Sequence, residues 1–187
     1  MIFLNSSMVL LAKPGESFDN PDVEGVTQKK YPNNVILTFN PNKLIFQVQG
    51  QSELLIHLKQ QVTDYCGKNG VYSKLQAIGI NFLIAKHKVE YEAIYKKFNI
   101  ESEKSPRFKD KTPSFQNISF QYKVSENETI NIIIQKAEDT NRVQKPIPVF
   151  DINAHYNLNN FSEDNIQKII ASIEKLYNQV SSFIGGI

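Results

Sequence analysis

The sequence is short of several things at once. It has one cysteine, Cys66, no tryptophan, two methionines, and only Arg107 and Arg142 as arginines among 21 basic residues. A single cysteine excludes an intramolecular disulfide and an all-cysteine metal site. Arginine is the better fork for phosphates and base edges, so its scarcity weighs against nucleic-acid reading. Charge of one sign is lacking too. The 21 basic residues face 19 acidic ones, a net charge of +2, which is too even to mark a nucleic-acid surface. No apolar run approaches the roughly 20 residues of a bilayer-spanning helix, so no membrane partner is expected. The opening MIFLNSSMVLLA has no basic stretch and is split by Asn5, Ser6 and Ser7, which argues against a secretory signal. The expected location is cytoplasmic, in a reduced compartment. The Asn-x-Ser/Thr triplets at Asn5, Asn117, Asn127 and Asn160 then read as chance in a chain rich in Asn, Lys and Ile, as an AT-rich coding genome produces.

What is present is enough for a core. The 187 residues are 41% hydrophobic, which fits one domain over 1–187 that needs no staples. Residues 8–12 read as a strand. Residues 13–33, with Pro14, Gly15, Pro21, Gly25 and Pro32, read as a long loop. Val35, Leu37 and Phe39 alternate, as do Leu44, Phe46 and Val48 across the turn Asn40-Pro41-Asn42, which predicts a β-hairpin. A first helix follows, capped by Ser52, with Leu54, Leu55, Leu58, Val62 and Tyr65 on one face and Gly67 as its stop. Residues 75–85 are apolar on both faces and read as a central strand, with Gly79 marking a bulge or close contact. A second helix is expected over about 87–98, with Val89, Ile94, Tyr95 and Phe98 inward. Residues 99–116 read as a flexible loop.

Two further strands alternate through Ile118, Phe120, Tyr122, Val124 and then Ile130, Ile132, Ile134. Residues 147–158 form a long strand with Phe150, Ile152, Ala154, Tyr156 and Leu158 on one face. A long C-terminal helix runs from Ser162 to about 184, its stripe including Ile166, Ile169, Ile170, Ile173, Leu176, Tyr177, Val180, Phe183 and Ile184. The expected fold is α+β: a largely antiparallel sheet of about six to seven strands covered by three helices. No internal repeat with a fixed period is visible.

The constellation closest to chemistry is the polar face of strand 147–158. Asp151, Asn153, His155 and Asn157 alternate along it, with neighbouring Cβ atoms about 7 Å apart. Asp151 and His155 are the candidate catalytic pair, as general acid and base. The alternative is the ordinary solvent side of a sheet. His57 and His87 stand far off in sequence, and no zinc spacing is present, so neither metal nor cofactor is expected. Cys66, at a helix C-terminus, is disfavoured as a nucleophile, because that end raises a thiol pKa. Phosphate-binding glycine loops and the nucleophile elbow are absent. Lys29, Lys30 and the group Lys104, Arg107, Lys109, Lys111 read as solvated loops, since Glu101, Glu103 and Asp110 dilute the second.

The segments Asn42–Val48, Ile78–Phe82 and Val149–Asn153 resemble a sporadically distributed, uncharacterised bacterial protein family, over about 42–184. This chain lacks the arginine that the resemblance leads one to expect near Gly79. The resemblance implies a bacterial or phage accessory protein and no known activity. Antiparallel strands followed by a long amphipathic helix are similar in architecture to SecB-type chaperones, by analogy alone.

The leading expectation is a non-enzymatic, intracellular binding protein that acts through a protein partner or self-association. Its contact residues would be Asn153, Asn157, Ile173, Tyr177, Val180 and Phe183. The alternatives are a small hydrolase or nuclease-like enzyme built on Asp151 and His155, and a SecB-like holdase or antitoxin component.

Overall fold

The computed structural model describes residues 2–18, 28–86, 117–137 and 147–186, together with Tyr91, Ile94 and Phe98. The expected loop 99–116 lies outside the described residues, as do Val89 and Tyr95 of the expected second helix. Tyr91 and Ile94 are helical and buried.

The strands are β1 (Ile2–Ala12), β2 (Gln28–Lys30), β3 (Ile36–Asn40), β4 (Lys43–Gly50), β5 (Leu75–Lys86), β6 (Asn117–Lys123), β7 (Glu128–Ala137) and β8 (Ile147–Asn157). The helices are α1 (Leu55–Lys68), α2 (Glu163–Ala171) and α3 (Ile173–Gly185). All eight strands form one antiparallel sheet in the order β2-β3-β4-β1-β5-β8-β7-β6. The count exceeds the expected six to seven. One addition is β2, which pairs with β3 inside the span read as the loop 13–33.

The strand order holds a repeat that has no counterpart in sequence period. Strands β1–β4 are laid out as 2-3-4-1, and β5–β8 as the mirror order 5-8-7-6. Each set of four is followed by helix. The two sets meet along the antiparallel β1–β5 pair, which runs from Ile2↔Lys86 to Ala12↔Leu75. One topology is therefore used twice in a single sheet.

Alternation decides which side is core. Met8, Leu10, Phe46, Val48, Ile80, Phe82, Phe150 and Ile152 point to the helix-covered face and are buried. Against them pack Leu55, Leu58, Val62, Tyr65 and Cys66 of α1. Phe46 meets Tyr65 edge-on at 5.4 Å between centroids. Burying one such side chain contributes roughly 1.5–3 kcal/mol. Among the described residues nothing covers the second face, so the architecture is two-layered.

Three local expectations need correction. Ser52 does not cap α1: residues Ser52–Leu54 form a 3-10 turn that leads into the helix, and no side-chain cap bond forms. The helix also runs past Gly67 to Lys68, where the Asn69 side chain donates to the Tyr65 carbonyl at 2.9 Å. The β-bulge falls between Leu11 and Ala12 and not at Gly79. A Cβ on Gly79 would meet only ordinary contacts at 3.7 Å.

The single C-terminal helix is in fact two, interrupted at Ser172. Its backbone N–H is shared between the Lys168 and Ile169 carbonyls at 3.0 and 3.1 Å, and its hydroxyl donates to the Ile169 carbonyl at 2.7 Å. A serine bonding back to its own turn in mid-helix competes with the regular ladder, and the ladder is interrupted there. The N-terminal end is as expected, with the Ser162 hydroxyl accepting from the Asn165 N–H.

Candidate functional site

Strand β8 places Asp151, Asn153, His155 and Asn157 on the open face, as alternation requires. Asp151 lies between Leu83 of β5 and Ile133 of β7 in register. Burial beside these apolar neighbours holds its carboxyl above the usual aspartate range. His155 lies between Gly79 and Thr129 and is exposed. It lies four steps of extended strand beyond Asp151, about 13 Å, and Asn153 stands between them. The strand therefore does not bring this pair within the hydrogen-bond reach that shared acid–base work requires. Among the described residues no group of three or more His, Cys, Asp or Glu is placed to hold a metal ion.

The same face carries a feature that composition had hidden. Gln47, Ser7, Asn81, Asn153, Asn131 and Gln121 are directly paired neighbours across six strands. Adjacent members are about 4.8 Å apart, the spacing of strands in a sheet. The Asn81 side-chain amide donates to the Ser7 hydroxyl at 3.1 Å, the Asn153 amide donates to the side-chain oxygen Oδ1 of Asn81, and Gln121 donates to the side-chain oxygen of Asn131 at 2.9 Å. These bonds join Ser7, Asn81 and Asn153 and, separately, Gln121 and Asn131, while Gln47 donates to Asn5 at 3.0 Å, and the row makes the open face polar through its middle. Asn157 is likewise engaged, accepting from the Asn159 N–H at 3.2 Å.

The other named candidates belong to the C-terminal helices. Ile173 is fully buried and serves the core, so it offers no contact surface. Tyr177 is half-buried against Phe82, 5.7 Å between centroids. Val180 and Phe183 line a groove of about 590 Å³ between α3 and the outer strands. Its floor is Ile130, Ile132 and Tyr156, and its helical wall is Ile169, Leu176, Val180 and Phe183. Its outer lip is Tyr122 and Val124, which are 44% and 55% exposed. That volume falls in the range of binding clefts, and the walls are mostly apolar, as in such clefts.

One end of the groove is polar. The Glu128 carboxylate and the Ser172 hydroxyl lie beside the Tyr156 hydroxyl. Burial, reinforced by the Glu128 charge, pushes the phenol up from its ordinary value. Lys168 and Lys175 border this end from the helices. The sequence reading named Val180 and Phe183 but missed Tyr122, Val124, Ile130 and Tyr156. The one available signal was alternation in β6 continuing into Val124, an apolar residue at the hairpin turn.

A second cleft of about 660 Å³ lies between residues 72–75 and 158–166. Its polar groups are largely engaged: Lys13 donates to the Ser73 carbonyl at 2.8 Å and the Tyr72 hydroxyl to the Thr63 carbonyl at 3.4 Å. Cys66 is buried, and burial pushes its thiol up to about 12, which removes it as a nucleophile at neutral pH.

No helix among the described residues is long and apolar enough to cross a membrane. Comparison with protein-family models, curated proteins and solved structures found no match for this chain.

Proposed function

We propose that this protein is a non-enzymatic binding protein that holds an apolar stretch of a partner chain against its C-terminal helices. The observation that carries this reading is the open apolar groove between α3 and strands β6 to β8, with Tyr122 and Val124 left exposed on its lip. Exposed apolar side chains clustered beside a cleft are what a contact surface offers, whereas the same residues scattered singly would mean little. The separation of Asp151 from His155 favours binding over acid–base chemistry. The resemblance at Val149–Asn153 fits an accessory protein of bacterial or phage origin.

The test is isolation of the tagged full chain from its host, with complex mass determined by light scattering. A stoichiometric protein partner is expected, lost when Tyr122 and Val124 are both changed to Ser. A lone monomer, or a partner indifferent to that double change, would overturn the reading.

The openness of the groove also favours a holdase. That form of the reading predicts suppressed aggregation of an unfolded client at equimolar chain, and no suppression would remove it.

A further inference from the structure

The groove is not uniform along its length, and its gradient bears on what occupies it. Its charged side chains, Lys168, Lys175 and Glu128, stand at the end near Ser172, beside the apolar Val124 and Ile169. Toward Phe183 it is bordered by Ile132, Leu176, Val180 and Phe183, with the uncharged Gln179 among them. Lys168, in α2, and Lys175, in α3, are seven residues apart, and both line the groove. Both are exposed, and among the described residues neither makes an ion pair; the described salt bridge is Lys59–Glu174. Glu128 is the sole acid of the lining and lies beside the Tyr156 hydroxyl. Two cations without an ion pair among the described residues thus stand over one end of an apolar trough. From Ser172 to Phe183 the trough runs about 16 Å, room for about five residues of extended chain.

We propose that the groove selects apolar segments that carry acidic residues at one end. The carboxylates meet Lys168 and Lys175 while the apolar side chains run toward Val180 and Phe183. This rests on the reading of the groove as a protein-binding site and adds to it a partner chemistry and a direction of docking. Charge at the rim of such a site acts mainly on selectivity, by favouring complementary partners and penalising like charge. A basic segment would meet two lysines, and a neutral one would leave them unused.

The experiment uses the full chain and three fluorescent synthetic peptides, read by anisotropy at low salt. Each has the same five-residue Leu/Ile/Phe core, with Glu-Glu, Gln-Gln or Lys-Lys attached at one end, and both chain directions are made. The Glu-Glu peptide is expected to bind about tenfold more tightly than the Lys-Lys peptide, the scale of two partly exposed ion pairs. Salt at about 1 M should shrink that ratio, because it shortens the screening length to about 3 Å. The double variant K168E/K175E should reverse the order of the Glu-Glu and Lys-Lys peptides. The variant with Tyr122→Ser and Val124→Ser should weaken all three peptides alike. All four positions are exposed, so these variants are expected to fold, which circular dichroism of each checks.

Equal binding of the three peptides, or an order unchanged by K168E/K175E, would overturn the acidic preference while leaving the groove as a protein-binding site. Binding that ignores Tyr122→Ser with Val124→Ser would place the peptide elsewhere and overturn both readings. So would failure of every peptide to bind.

Discussion

The two halves of the sheet share one strand plan but are covered differently. In the first, α1 lies over β1 and β4, and the edge strand β2 is three residues long and wholly exposed. In the second, the edge strand β6 has seven residues and turns Ile118, Phe120 and Tyr122 toward the helix layer. A helix is about 10–12 Å across and strands are spaced about 4.8 Å, so one helix covers roughly two strands. The first half needs little more than that. In the second, Phe98 packs on Phe120 at 4.9 Å, but Tyr122 and Val124 stay open. The groove is thus a mismatch between the apolar strand surface that one half presents and the helix layer above it. The interruption at Ser172, beside Tyr156, marks where that mismatch begins.

The comparison can be broken at several points. The largest effect is expected from Ile173→Asp, at the start of α3. An unpaired carboxylate buried there costs about 3–5 kcal/mol, comparable to the whole stability of a marginal domain. Circular dichroism should show a protein unfolded or close to it, and an unchanged melt would mean that Ile173 does not face the core.

Next come Phe46→Ala and Phe150→Ala. These residues sit on β4 and β8, the strands flanking the central pair, and both are fully buried. Each change should cost about 3–5 kcal/mol by urea denaturation. A gap of more than about 2 kcal/mol between them would show that the shared plan does not carry shared energetics.

A contrast should then appear on the neighbouring strands. Leu37→Ala on β3 removes a buried side chain and should cost about 2–4 kcal/mol, while Ile130→Ala on the groove floor should cost less than about 1.5 kcal/mol. Equal losses would mean that the groove is closed in solution.

The smallest effect concerns the open face. Burial raises the Asp151 pKa in the folded state above its ordinary value. Between the two values the native chain binds more protons than the unfolded one, so stability falls as pH rises through that window. Asp151→Asn removes this burden. The variant should melt slightly higher than the parent at about pH 7, with the gain vanishing below the ordinary aspartate value of about 3.9. A lower melting temperature for the variant at neutral pH would show that the carboxylate makes a favourable contact.

The hairpin at Asn40–Lys43 was legible because period-2 alternation on both sides of Pro41-Asn42 leaves one sensible pairing. Strand β8 was legible down to its faces for the same reason. The polar row was not. Gln47, Ser7, Asn81, Asn153, Asn131 and Gln121 come from six strands, and only the register lines them up; in the sequence they read as compositional bias. Short β2 escaped notice because three exposed residues carry no apolar pattern. The break at Ser172 escaped because the apolar stripe runs through it without losing phase.

By itself, the sequence determined the α+β class, the antiparallel hairpins and the apolar stripes of the helices. These follow from local periodicity, which needs only the order of side chains along the chain. The tertiary structure decided that β1 and β5 pair at the centre, that one topology is used twice, and that Asp151 and His155 stay apart. It also decided that Val180 and Phe183 face Ile130 and Tyr156 across a groove. These depend on which distant strands share hydrogen bonds and on how much sheet a helix can cover. Both are set by packing between segments far apart in the chain.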